Sequence, residues 1–160
     1  LALKVATFFK TKIRTEQEEY YGCRFKDVRN LEKFKKITNI LPNKTYSSYV
    51  IPDWIKNSDE HMFNFIAGVF DGDGWVHIVK DREETIELGI AQHILSSNFL
   101  KEINMYLGWN EYDYSKNLSS RDMFRISTKA KSKTKEFYNW YKTIEFTMNR
   151  KLSVFESIYL

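Results

Sequence analysis

Residues 65–75, FIAGVFDGDGW, set two acids and three glycines at the end of an apolar run. Ala67, Gly68 and Gly72 place small residues on a helix. The Gly68/Gly72 pair, four apart, leaves a face on which a second backbone can approach closely. Such a segment reads as an interface helix. Phe63, Ile66 and Phe70 cover its other side, and Gly72 and Gly74 are expected to permit a tight exit where other residues would be strained. Asp73 then projects from the negative end of the helix dipole. A carboxylate is unfavourable there unless a cation accompanies it, and two such helices side by side double the demand. A divalent metal ion answers it. Asp71 is read as an Asp-Gly turn that stops the helix. A calcium loop is excluded, because counting from Asp71 the fifth, sixth and twelfth places hold Trp75, Val76 and Arg82 instead of an oxygen ligand, Gly and Glu.

The elements that must hold these acids follow from periodicity and punctuation. The pattern predicts a helix over 1–10, a strand over 20–26, a helix over 29–38 and a short helix near 43–50 ended by Pro52. Ser58 or Asp59 caps a helix running to about Phe70. Strands over 75–80 and 85–92 form a hairpin through KDREE, and Ser97 caps a helix to Tyr106. Strands near 110–116 and 122–127 and helices near 133–143 and 149–159 complete the chain. Residues 59–160 thus read as helix, two strands, helix, two strands, helix, helix, an α+β arrangement around an antiparallel sheet.

Composition narrows the class. The 160 residues are 42% apolar and 29% charged, with 26 aromatics against 6 Gly and 2 Pro, enough for one or two small packed domains and unlike a disordered or low-complexity chain. Apolar runs are too short for a membrane span or a secretory signal, so an intracellular, soluble protein is expected. A single cysteine, Cys23, excludes an internal disulfide and a cysteine-based zinc site. The net charge of +4 conceals a pattern: 12 basic against 6 acidic residues in 1–58, 3 against 11 in 59–113, and 10 against 4 in 114–160. Two basic blocks around an acidic centre suit either a polyanion gripped beside a metal site or a solvated charged surface.

A weak internal repeat accompanies this pattern. LALKVATFF parallels NFLKEINMYL, CRFKDVRNLEKF parallels MFRISTKAKSKTKEF, and LPNKTYSSYVI parallels TMNRKLSVFESI, in the same order. Nothing before Leu1 corresponds to 59–96, and Leu1 is not an initiator Met. Either the similarity is a chance one between two amphipathic helix–strand stretches, or residues 1–58 read as the C-terminal part of one unit and 59–160 as a complete second unit, the reading taken here.

The nine residues Ile66-Ala67-Gly68-Val69-Phe70-Asp71-Gly72-Asp73-Gly74 resemble the signature of the LAGLIDADG homing endonucleases, and the elements of 59–160 resemble that family's αββαββα unit with its saddle-shaped antiparallel sheet. The resemblance implies a site-specific enzyme that hydrolyses phosphodiester bonds in double-stranded DNA with Mg²⁺ or Mn²⁺. It places Asp73 and the Gly72 carbonyl at the metal, Gln92 beside the water near the scissile phosphate, and Lys151 and Lys44 as basic residues close by. Without it, Gln92 is equally a surface residue and Lys151 a decoration of the last helix. In such a site the metal activates water and stabilises charge on phosphate, a lysine adds charge, and a glutamine orients water.

DNA recognition then falls to the sheet face that carries no helices. Alternation sends Val76, Ile78, Ile86, Leu88, Ile90, Phe124 and Ile126 to the helices and leaves Trp75, His77, Val79, Thr85, Glu87, Arg125 and Ser127 outward. Lys80, Arg82 and Arg121 extend that surface. Arg125 suits guanine and Glu87 suits cytosine, while Lys129, Lys131, Lys133 and Lys135 either meet phosphates or form the solvated start of a helix. His77 and His93 lack a third ligand at useful spacing and read as groove or surface residues.

One signature supplies one acid, and a duplex cut needs two. The partner is a second copy of the chain or a complementary LAGLIDADG half, the repeat remnant favouring the latter. An intein setting finds no support, since the ends carry no splicing Cys or Ser and no His-Asn. The alternative class is a nucleic-acid-binding relative that does not cleave, an intron-splicing maturase or a transcription regulator; a structural dimerisation module leaves Asp73 and the basic blocks unexplained.

Overall fold

The computed structural model describes residues 13–15, 21–23, 28–38, 49–80, 84–113, 122–144 and 147–160. The chain divides into two compact units, Leu1–Leu41 and Pro42–Leu160. In the first, β1 (Ile13–Thr15) pairs antiparallel with β2 (Tyr21–Cys23), and α1 spans Val28–Thr38. The expected strand over 20–26 is therefore seen at Tyr21–Cys23, and its partner β1 carries no alternation long enough to reveal itself. The helix expected over 1–10 lies outside the described residues.

The second unit opens with α2 (Asp53–Lys56) and α3 (Asp59–Asp73). A helix near 43–50 ended by Pro52 was expected here; residues 43–48 lie outside the described residues, and 49–50 are not helical. Pro52 instead stands just before α2, at a helix start where its missing N–H costs nothing. Ser58 caps α3, its hydroxyl accepting from the His61 N–H at 3.3 Å. The helix then runs three residues past Phe70, and Asp71 lies within it. Its buried side is Met62, Ile66, Ala67, Phe70 and Asp71, one stripe at helical period.

Strands β3 (Gly74–Lys80), β4 (Glu84–His93), β5 (Asn110–Asp113) and β6 (Met123–Thr128) form one antiparallel sheet in the order β3-β4-β6-β5. Between β4 and β5 runs α4 (Ser97–Leu107); α5 (Lys131–Tyr141) and α6 (Asn149–Tyr159) follow β6. Ser97 was expected to cap α4, but a short 3₁₀ turn, Ile94–Ser96, precedes it and moves the boundary to Ser96, whose side chain makes no capping bond. Gly108 ends α4 at φ 59°, the left-handed conformation glycine adopts without strain.

Ile86, Leu88, Ile90, Phe124 and Ile126 are buried as the alternation requires. They meet Met62, Ile66 and Phe70 of α3, Leu100 and Ile103 of α4, and an aromatic cluster from the last two helices. Phe70 is central to that cluster, with ring centroids 4.8 Å from Phe137, 5.4 Å from Tyr141 and 6.5 Å from Phe155. The C-terminal turn of α3 is thus anchored by its largest side chain just before Asp71.

Candidate functional site

Register explains what assembles around Asp73. Gly74, the first residue of β3, stands opposite Ile90 of β4. Gln92 lies two residues further along β4 on the same, helix-covered face, so it emerges beside the end of α3. Its Nε2 donates to Asp73 Oδ2 at 2.6 Å. Asp73 itself is exposed. Two sequence-predicted site residues 19 positions apart are therefore in direct contact at a helix's negative end.

The exit that carries Asp73 is clamped from below. Lys151 of α6 is only 5% exposed, and its ammonium donates to the carbonyls of Phe70, of Asp71 at 3.1 Å and of Gly74 at 2.6 Å. It also lies 4.6 Å from the centre of the Phe70 ring. Those carbonyls belong to the last turn of α3 and the first residue of β3, so one side chain bonds both sides of the corner. A cation at a helix C-terminus also offsets the dipole. Burial pulls the Lys151 pKa down to about 8; the Asp71 carboxylate pushes back, Arg150 adds to the lowering and Asp73 opposes it.

Asp71 has its own partners. Its Oδ1 accepts from the Tyr141 hydroxyl and from the Met148 N–H at 3.4 Å, and that N–H is also 3.2 Å from the Tyr141 oxygen. Burial first, and the hydrogen bond to Asp71 second, raise the Tyr141 pKa well above its ordinary range. Asp71 is therefore structural, as expected, but it works by tying α3 to the α5–α6 connection and does not end the helix.

The glycines separate into two kinds. A Cβ on Gly68 or Gly72 would meet nothing within 4 Å, and both residues are exposed. Together with His61 and Asn64 they form an open stripe on the side of α3 away from the core. Gly74 has φ −90°, ordinary extended backbone, so the expected strained exit is absent. It is glycine for want of room: a Cβ there would lie 2.5 Å from both the carbonyl oxygen and a ring carbon of Phe70. Ala67, named with the interface glycines, is 3% exposed and belongs to the core.

The outward sheet face carries Trp75, His77, Glu87 and Arg125 as alternation places them. Trp75 stands opposite Gly89, and a Cβ on Gly89 would lie 2.5 Å from the indole ring, so the ring fills the space a side chain would take. Glu87 is 3.1 Å from the Lys129 ammonium and 3.7 Å from His77 Nε2. The Arg125 guanidinium sits 4.5 Å from the Tyr112 ring centre, in register across β5 and β6. Ser127 shares the outward row yet is 3% exposed, because it stands mid-sheet between Gly89 and Asn110. In the lysine run, Lys133 donates to the Gly108 carbonyl at the end of α4, whereas Lys131 and Lys135 are exposed, as is Lys80 at the end of β3. Lys44, Arg82 and Arg121 lie outside the described residues.

Among the described residues no cluster of three or more His, Cys, Asp or Glu side chains forms a ready metal cage. The described part of this corner offers the Asp73 carboxylate and helix-end carbonyls, those of Phe70, Asp71 and Gly74 being already bonded to Lys151. They are hard oxygen donors of the kind Mg²⁺ takes, with the remaining positions left to water, phosphate or a second acid. Sequence reasoning missed Tyr141 and the contacts of Lys151, which depend on residues at least 70 positions apart. Among the described residues no helix is long and apolar enough to cross a membrane.

No family model matches the chain. Solved structures do resemble it. The meganuclease I-SmaMI bound to uncleaveable DNA with a TTGT central four aligns at a TM-score of 0.66 and 12% identity, over 97% of this chain and 71% of that one. The I-SmaMI LAGLIDADG homing endonuclease bound to cleaved DNA aligns at 0.65 and 12%, over 96% and 71%. With helices on one face of a four-stranded antiparallel sheet and the glycine-lined α3 leading into it, the chain has the α+β fold of the LAGLIDADG meganucleases.

Proposed function

We propose that this chain supplies one half of the active site of a divalent-metal-dependent, site-specific DNA endonuclease. The observation that carries the reading is the Asp73 carboxylate, exposed at the end of a helix with an open glycine face and bonded to Gln92 at 2.6 Å. The shared fold with nucleases solved on DNA supports it.

In this reading the Asp73 carboxylate and the Gly72 carbonyl hold Mg²⁺ or Mn²⁺, which when bound activates water and stabilises charge at the phosphate. Gln92 fixes the carboxylate's direction through Oδ2 and offers its amide to a neighbouring water. Trp75, His77, Lys80, Glu87, Arg125, Lys129 and Lys131 lie along the surface on which the duplex rests. The second acid comes from a second copy, or a complementary half, packed on the Gly68/Gly72 stripe.

The test is cleavage of a randomised duplex library by the wild-type chain and by Asp73→Asn, with the mass in solution measured alongside. Expected is cleavage that needs Mg²⁺, is lost in the variant and comes from a paired species. Salt-dependent DNA binding without cleavage by the wild type would leave the non-cleaving regulator, and selective binding of structured RNA would leave the maturase.

A further inference from the structure

The corner at the end of α3 has two adjacent cations with opposite surroundings. Lys151 is buried, and its three N–H bonds have three carbonyl acceptors in Phe70, Asp71 and Gly74. An ammonium so placed has no donor left for a phosphate, and moving it outward would leave helix-end carbonyls unpaired. Arg150, one residue earlier in the first turn of α6, is exposed, and among the described residues no carboxylate pairs with it. Its neighbourhood is the same corner. The backbone N–H of Met148, two residues before it, reaches Asp71, and the side chain of Lys151, the next residue, reaches Gly74. Arginine is also the better phosphate ligand, because its planar, always charged fork presents paired donors.

Resting on the endonuclease reading, we infer that Arg150 is the residue at this corner that touches the DNA phosphate, and that Lys151 is a positioning residue holding the helix-to-strand exit on which Asp73 sits. The resemblance in sequence sets Lys151 among the basic residues near the phosphate. Burial and donor geometry give it to Arg150.

The experiment measures binding of a short duplex, enriched from a randomised pool on the wild-type chain, at several salt concentrations with Ca²⁺ replacing Mg²⁺. Each phosphate contact contributes about 0.9 to the slope of log K against log salt. Arg150→Gln is expected to lose about that much slope for each copy of the chain bound to the duplex, while its Tm stays at the wild-type value. Lys151→Met is expected to keep the slope, lose roughly 5 °C in Tm, and lower kcat about 10-fold at unchanged KM at temperatures where it is folded. Should Lys151→Met fail to fold, Lys151→Gln, which keeps N–H donors for the carbonyls, takes its place. The inference falls if Arg150→Gln keeps the full slope, or if the Lys151 variant loses slope at unchanged Tm. A wild-type chain that enriches no duplex sinks the endonuclease reading itself.

Discussion

Asp71 and Asp73 are two residues apart and have different fates, decided by helical phase. Asp71 falls four places after Ala67 and one after Phe70, on the buried stripe, where only hydrogen bonds make a carboxylate tolerable. Asp73 falls off that stripe and stays exposed. Removing one partner from a buried polar group costs about 1–3 kcal/mol. Tyr141→Phe is therefore expected to lower unfolding free energy by about that amount in urea titration and to leave the exposed Asp73 carboxylate and its bond to Gln92 in place. At this scale the sequence was readable where spacing is local: Asp73, the glycine pair and the nine-residue signature could all be picked out by eye. Gln92 needed the resemblance, since nothing local distinguishes a strand-end glutamine that meets a carboxylate from one that meets water. Arg150 and the burial of Lys151 could not be read, because which of two neighbouring cations turns inward depends on the helix packed against them.

The behaviour of α3 as an element rests on two classes of glycine. Gly68 and Gly72 face open space, so alanine there meets no clash and adds helix propensity of about 0.5–1 kcal/mol per site. Gly74 has no such room. Gly74→Ala is expected to destabilise by about 1–3 kcal/mol, since the Phe70 backbone beneath it cannot step aside. Thermal unfolding of Gly68→Ala and Gly74→Ala should thus move in opposite directions. Loss of pairing in Gly68→Ala despite its higher stability would mark the stripe as the contact between halves. Element boundaries were legible where a cap or a long alternation marks them, as at Ser58 and along β4. They were misjudged where proline or serine has two uses. Pro52 opens α2, and Ser97 yields to a 3₁₀ turn whose existence depends on where β4 ends.

For the whole molecule, the buried pair around Asp71 sets a pH signature of stability. Lys151 has its pKa lowered from an ordinary 10.5 to about 8, so between those values the unfolded chain binds a proton that the folded chain lacks, and unfolding free energy rises with pH. Tyr141 acts in the opposite sense. Its pKa is raised from 10.0, so above that pH the folded chain keeps a proton the unfolded chain loses, and stability falls. Urea titrations from pH 7 to 11 are expected to show a maximum near 10; Lys151→Met removes the rising limb, and Tyr141→Phe makes the falling one shallower, what is left including Tyr49, whose pKa burial also raises. The antiparallel sheet and its helix-covered face were evident from alternation, and the aromatic cluster that ties the last two helices to Phe70 was not, because it joins residues from opposite ends of the unit. That separation has a consequence in time. Synthesis runs from the N-terminus, so a nascent chain carries α3 and its acid long before the ribosome releases Met148 and Lys151, 77 positions beyond their partners Asp71 and Gly74. Until α6 emerges the corner has no clamp, and a growing chain still on the ribosome carries Asp73 on an unsupported helix end.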